Sequence, residues 1–148
     1  MKLHLKFSAD TCELARMRDK ARRFLLDADI PEMEAELMVL ALDEACTNII
    51  RHAYGGCTKR AIRLHMERLR GSVRCLLRDY GASCDPSKIR SRELTDFRPG
   101  GLGVRILHSA FDQVLFEPQP RGTRLTLVKT LGHSNAARVV SAVSQGAL

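Results

Sequence analysis

An α+β fold is predicted by three observations on this 148-residue chain. Five short stretches alternate apolar and polar residues, three longer ones repeat apolar residues at helical spacing, and the strands come in adjacent pairs rather than alternating with helices. Residues 2–8 alternate and read as a strand, and the stretch from Ser8-Ala9-Asp10 to about Asp27 reads as a helix with a polar start. Pro31 suits the first turn of a second helix. There Leu37, Leu40, Ala41, Ala45 and Ile49 recur at helical spacing to roughly His52, before Gly55-Gly56 breaks the pattern. Ala61 to Leu69 and Val73 to Asp79 alternate around Arg70-Gly71-Ser72, which predicts an antiparallel hairpin.

From Tyr80 to Pro99 the pattern gives way to Gly, Ser, Pro and charges, a loop long enough in a compact domain to suggest a lid. A short helix after Gly100 reaches about Phe111, and Gln113–Phe116 with Thr123–Lys129 forms a second hairpin around Pro118-Gln119-Pro120-Arg121-Gly122. Residues 1–130 are expected to be a single domain. The Ala-, Ser- and Val-rich tail 131–148 reads as a frayed helix or as disordered.

Composition narrows the function classes. A hydrophobic fraction of 45% with 28% charged residues is ordinary for one globular domain. Lys and Arg exceed Asp and Glu by 24 to 17, a formal charge of +7, which favours an anionic partner without choosing one. The basic residues are scattered and no aromatic-rich run accompanies them, so a solvated surface is favoured over nucleic-acid binding by roughly four to one. On the first helix Arg16, Arg18, Lys20, Arg22 and Arg23 are a candidate docking surface for an acidic protein, weighed against a solvated face. The five cysteines include no CxxC pair, so neither a disulfide framework nor a zinc site is suggested. No long apolar segment or signal peptide is visible, and a cytoplasmic protein outside any membrane is expected.

Glu44, Asn48 and His52 stand at i, i+4 and i+8 and line one face of the second helix. An Asn oxygen suits magnesium, and a carboxylate one turn away can orient or deprotonate a nucleophile near a phosphate. Taken alone, the stripe is read as a solvated polar face by roughly three to one, because Glu and Asn are usually exposed. Asp79-Tyr80-Gly81 ends a strand, where a carboxylate can accept from an exocyclic amine and a glycine permits close backbone approach. Gly100-Gly101-Leu102-Gly103 opens a helix whose backbone N–H groups and dipole can receive phosphates without a lysine. Neither GxGxxG nor a Walker loop is present, so a different phosphate-binding fold is needed.

Together these segments bring a family into view. The run from Leu40 to Tyr54 resembles the N-box of the gyrase, heat-shock chaperone, histidine-kinase and MutL ATPase superfamily. Arg78-Asp79-Tyr80-Gly81 resembles its adenine box, Arg98-Pro99-Gly100-Gly101-Leu102-Gly103 its phosphate box, and Gly122-Thr123-Arg124-Leu125 its closing strand. The spacing is most similar to the anti-sigma factor serine/threonine-protein kinases. The resemblance implies the two-layer α/β sandwich of the Bergerat type, with a mixed, mostly antiparallel sheet covered on one face by helices. It implies ATP and Mg2+ as cofactors, with Glu44 as general base, Asn48 as magnesium ligand and Asp79 as adenine anchor. Gly81 then lies against the base, Gly100, Gly101, Leu102 and Gly103 cradle phosphate, and Thr123 stands behind Asp79. His52 falls on the motif and equally suits a packing role at the helix end. Implied as well are a homodimer, a STAS-type anti-anti-sigma factor as phosphoryl acceptor, and a sigma factor held inactive. A non-catalytic, ATP-dependent module that switches protein partners is the alternative, because Ser83 and Cys84 depart from the usual adenine box.

Overall fold

The computed structural model describes residues 1–81 and 102–132. Strand β1 (Lys2–Ser8) leads into helix α1 (Thr11–Asp27) and helix α2 (Glu32–Asn48), which continues as a π-helical turn over Ile49–Ala53. The hairpin β2 (Ala61–Arg68) and β3 (Ser72–Arg78) follows, then helix α3 (Leu102–Ala110) and the hairpin β4 (Gln113–Pro118) and β5 (Thr123–Thr130). The five strands form one sheet in the order β1-β2-β3-β5-β4. Its four pairings are all antiparallel, so the expected mixed sheet is narrowed to an antiparallel one among the described residues.

Local chemistry explains the two long helices. Asp10 caps α1 by accepting from the backbone N–H groups of Cys12 and Glu13, at 2.8 and 3.1 Å, which satisfies two of the free donors at the helix start. The helix ends in a Schellman arrangement: Ile30 N–H donates to Leu25 O and Asp29 N–H to Leu26 O. Asp29 takes the left-handed conformation this requires (φ 62°), which Asp tolerates better than most residues, and Ile30 buries itself against Leu25.

The period-2 pattern of the strands sends Ile62, Leu64 and Met66, then Val73, Cys75 and Leu77, then Leu125 and Leu127 into a single core. Met17, Phe24 and Leu25 of α1, Met38 and Leu42 of α2 and Leu107 of α3 complete that core. Each such side chain contributes about 1.5–3 kcal/mol through removal from water. One expectation is corrected. Leu40 belongs to the apolar stripe that helical spacing predicts for α2, but it is 50% exposed, and the buried set is Ala35, Met38, Val39, Ala41, Leu42, Ala45 and Cys46. Helices α1 and α3 both pack against α2, so its buried arc is wider than a single stripe and is centred away from Leu40.

Cys46 and Cys75 are fully enclosed, and burial pushes both thiols up, that of Cys75 to about 12. Cys12 and Cys57 are exposed. Alkylation of the native protein near neutral pH is therefore expected to modify Cys12 and Cys57 and to reach Cys46 and Cys75 only after denaturation, as read by peptide mass mapping.

Candidate functional site

The site forms where the C-terminal end of α2 meets the ends of β3 and α3. Glu44 and Asn48 lie one turn apart and are both half-buried. They face Gly103 in the first turn of α3. A Cβ on Gly103 would lie 3.3 Å from Glu44 Oε1 and 3.6 Å from Asn48 Nδ2. A side chain there would fill the space between the helix start and the acidic and amide groups. The first turn of α3 thus lies close against the Glu44 and Asn48 side chains.

Below α2 the α-helical ladder changes. Thr47 Oγ1 donates to Asp43 O at 2.9 Å, a bond that competes with helical backbone pairing, and two residues later the turn becomes π-helical. Tyr54 N–H then donates to Ile49 O at 3.0 Å and Gly56 N–H to Ile50 O at 2.8 Å. The expected continuous α-helix to His52 is thereby corrected: α2 ends at Asn48, and His52 lies in the π-helical turn that continues it. His52 is exposed within the π turn.

The adenine-box residues sit at the end of β3. Asp79 is 5% exposed, and its Oδ1 accepts from Gly81 N–H at 3.0 Å, which curls the chain back toward the carboxylate. A Cβ on Gly81 would lie 3.1 Å from Ala53 O, so glycine allows this segment to press against the π turn. Asp79 N–H donates to Thr123 O at 3.1 Å, which places Thr123 beside Asp79 at the start of β5, half-buried. The described residues thus hold two local groups, Glu44 and Asn48 against Gly103, and Asp79 with Gly81 and Thr123. Gly100, Gly101, Ser83, Cys84, the expected lid from 82 to 99 and the tail beyond 132 lie outside the described residues.

Three residues that sequence reasoning did not single out hold the site together. Tyr54 is buried, and its hydroxyl donates to Ala61 O while accepting from Tyr80 N–H at 2.8 Å. Burial raises the Tyr54 pKa against the opposing pull of the Tyr80 N–H bond, so the phenol stays a neutral donor and acceptor. Its position two residues after His52 in the motif was the available signal. Arg78 spreads one guanidinium nitrogen over the carbonyls of Asp79, Arg121 and Thr123 and stacks 4.7 Å over Tyr80. Gly122, at φ 80°, brings the β4–β5 turn directly onto Asp79. Tyr54→Phe is expected to leave Tyr80 N–H and Ala61 O without their partner, destabilising the protein by about 1–3 kcal/mol. A urea titration that gave an unchanged midpoint would refute that role.

The donor set fits magnesium better than zinc. Asn48 offers one carboxamide oxygen, and among the described residues no three His, Cys, Asp or Glu converge to hold a metal. Among the described residues no helix is long and apolar enough to cross a membrane.

Comparison with known proteins bears on the family and the fold. The chain is 32% identical over 94 residues to the serine/threonine-protein kinase BtrW of Bordetella bronchiseptica, covering 61% of this chain and 66% of the relative. It is 27% identical over 121 residues to the serine-protein kinase RsbW of Halalkalibacterium halodurans, covering 75% and 72%. The match to RsbW of Staphylococcus aureus is 30% over 99 residues, spanning 62% of that relative. Among solved structures, the RsbU and RsbW domains of a Mycobacterium tuberculosis protein superpose with a TM-score of 0.64 at 17% identity, over 88% of this chain and 32% of that one. A chain of the SiaB–SiaC complex of Pseudomonas aeruginosa gives a TM-score of 0.58 at 14% identity, over 86% of this chain and 89% of that one. At these identities the superpositions speak for the fold. Residues 7–129 match the family described as the histidine kinase-like ATPase domain, and the chain belongs to that family.

Proposed function

We propose that the chain binds ATP with magnesium and is an anti-sigma factor and protein-serine kinase, phosphorylating a STAS-type anti-anti-sigma partner and sequestering a sigma factor as a homodimer. The observation that carries this reading is the meeting of Glu44 and Asn48 with the N-terminal turn of α3 at Gly103. The serine hydroxyl of the partner attacks the γ-phosphorus while the bond to the β,γ-bridging oxygen breaks and ADP departs; Glu44 receives the hydroxyl proton. Asn48 would hold Mg2+ together with the triphosphate, and the ion would neutralise charge on the phosphates. Asp79 accepts from the adenine amine, Gly81 lets the base approach the backbone, and the dipole of α3 faces the phosphates. Transfer then rests on positioning and charge neutralisation. The names of the BtrW and RsbW relatives support a kinase, and the SiaB–SiaC likeness is in keeping with a domain that works through protein partners.

The second reading, a module that binds ATP and switches partners without transfer, is favoured by Ser83 and Cys84 in the adenine box. Incubation with magnesium, γ-labelled ATP and a candidate STAS-type partner separates the two. Label on the partner serine supports the kinase. An unlabelled partner together with an ATP-raised melting temperature leaves the switching module. Absence of any shift with ATP or ADP, with or without magnesium, removes both.

A further inference from the structure

The sheet face turned away from the helices carries an ordered charge pattern. In register, Lys6, Arg63, Arg78 and Arg124 stand side by side across β1, β2, β3 and β5, with Glu117 of β4 closing the row. Two residues further along each strand runs a second row, His4, His65, Leu76, Thr126 and Leu115, in which Leu115 is 53% exposed. From strand spacing, the four cations extend over about 15 Å and the two rows lie about 7 Å apart. An open concavity of about 450 Å3 covers the β1–β3 part of both rows and reaches Arg124, lined by Lys6, Arg63, His65, Leu76, Arg78 and Arg124 among others.

Like charges directly opposite on neighbouring strands disfavour the sheet. Elsewhere the chain offsets them. In the third row Glu67 sits between Lys2 and Arg74, at 3.2 and 2.7 Å. On α1, Arg16, Arg18 and Arg22 pair with Glu13, Asp43 and Glu36, so three of the five cations expected to dock an acidic protein are already engaged within the chain. Among the described residues only Arg124 of the first row has a carboxylate, Glu117 at 2.9 Å. Arg78 is turned to backbone carbonyls, Arg63 lies 5.8 Å over the Tyr80 ring, and neither Lys6 nor Arg63 has an ion pair among the described residues.

We propose that this face docks an acidic amphipathic helix of a protein partner, laid across the strands. Its carboxylates lie over Lys6, Arg63 and Arg124, and its apolar side lies over Leu76, Thr126 and Leu115. A helical turn of about 5.4 Å is close to the strand spacing of about 4.8 Å, so acidic residues one turn apart meet successive cations. Leu76 and Leu115 in the parallel row, with Thr126 between them, receive the neighbouring apolar stripe of the same helix. A second copy stacked face to face is opposed, because six cations on each side would meet with only Glu67 and Glu117 to offset them. Single-stranded nucleic acid lacks a stacking platform, as Tyr80 is the one aromatic residue among those lining the concavity beside the histidines and is already covered by Arg63 and Arg78.

Docking at this face requires neither ATP nor phosphoryl transfer and is tested without them. The full chain is titrated, by fluorescence anisotropy, into a labelled lactam-bridged helix about 16 residues long, three to four turns, bearing a Glu stripe beside a Leu stripe. Saturable binding that weakens with salt is expected, and Lys6→Glu with Arg63→Glu should weaken it about tenfold or more. Arg63→Gln, which removes one like-charge neighbour, is expected to weaken binding while melting no lower than the parent, and so keeps the test valid if the double reversal does not fold. Equal binding by the variants, or by a helix of the same composition with its Glu residues dispersed around all sides, overturns the proposal. Tighter binding of oligo-dT than of the peptide overturns it in favour of nucleic acid. A concentration-dependent dimer dissolved by the charge reversal overturns it in favour of a second copy.

Discussion

Gly122→Ala is expected to be the most destabilising single substitution at the site, costing about 3 kcal/mol or more. A Cβ at this position would lie 2.2 Å from Asp79 O and 2.7 Å from Asp79 Oδ1, well inside contact distance, and the backbone is held at φ 80°. The left-handed conformation alone costs an L-residue about 1–2 kcal/mol. The collision adds to it, and neither neighbour can yield cheaply: the carbonyl belongs to the chain leaving β3, and the carboxylate already accepts from Gly81 N–H. Gly55→Ala is the informative control. Gly55 also has a positive φ, 56°, but a Cβ there would meet nothing within 4 Å, so only the backbone cost of about 1 kcal/mol is expected. Urea midpoints of the two variants, compared with the parent, separate strain from collision. Equal losses at the two positions would contradict the close approach of the β4–β5 turn to Asp79. Because that approach sets the position of Asp79, any Gly122→Ala protein that folds should also lose most of its ATP-induced rise in melting temperature.

Glu44→Gln is expected to lower phosphoryl transfer to the partner serine by about 100-fold to 10,000-fold while leaving the ATP-induced melting shift close to that of the parent. The substitution keeps size and hydrogen-bonding capacity but cannot take the hydroxyl proton. Glu44 is half-buried beside Gly103, where an isosteric amide fits the same space. Single-turnover transfer with labelled ATP reads the first effect and differential scanning fluorimetry the second. Undiminished transfer would remove Glu44 as general base. A lost thermal shift would instead place it in nucleotide binding.

The parts of the molecule legible in the sequence are those written by local period or by a short ordered motif. Asp10 at the start of α1, the alternation of β2 and β3 and the Gly55-Gly56 break are each set by residues within a few positions of one another. Glu44 and Asn48 belong with them, because an i, i+4 pair on a helix is a neighbour pair whatever the rest of the fold does. His52 falls where that logic no longer suffices, since the i, i+4 rule holds for an α-helix and the turn after Asn48 is π-helical. Leu40 escaped it for another reason: a helix packed between two others buries a broad arc, and which residues fall outside depends on where the neighbours sit.

By itself, then, the amino-acid sequence determined the element order and nominated the candidate nucleotide-site residues, since both reside in local periodicity and in the ordered boxes. Only the tertiary structure decided that Gly103 of α3 stands against Glu44, that Tyr54 ties the π turn to Tyr80, and that Gly122 presses on Asp79. It also decided the strand order that aligns Lys6, Arg63, Arg78 and Arg124, which are scattered along the chain and become a charge row only through antiparallel register. Contacts between distant segments depend on how whole elements pair and pack, and no window of neighbouring residues contains that information.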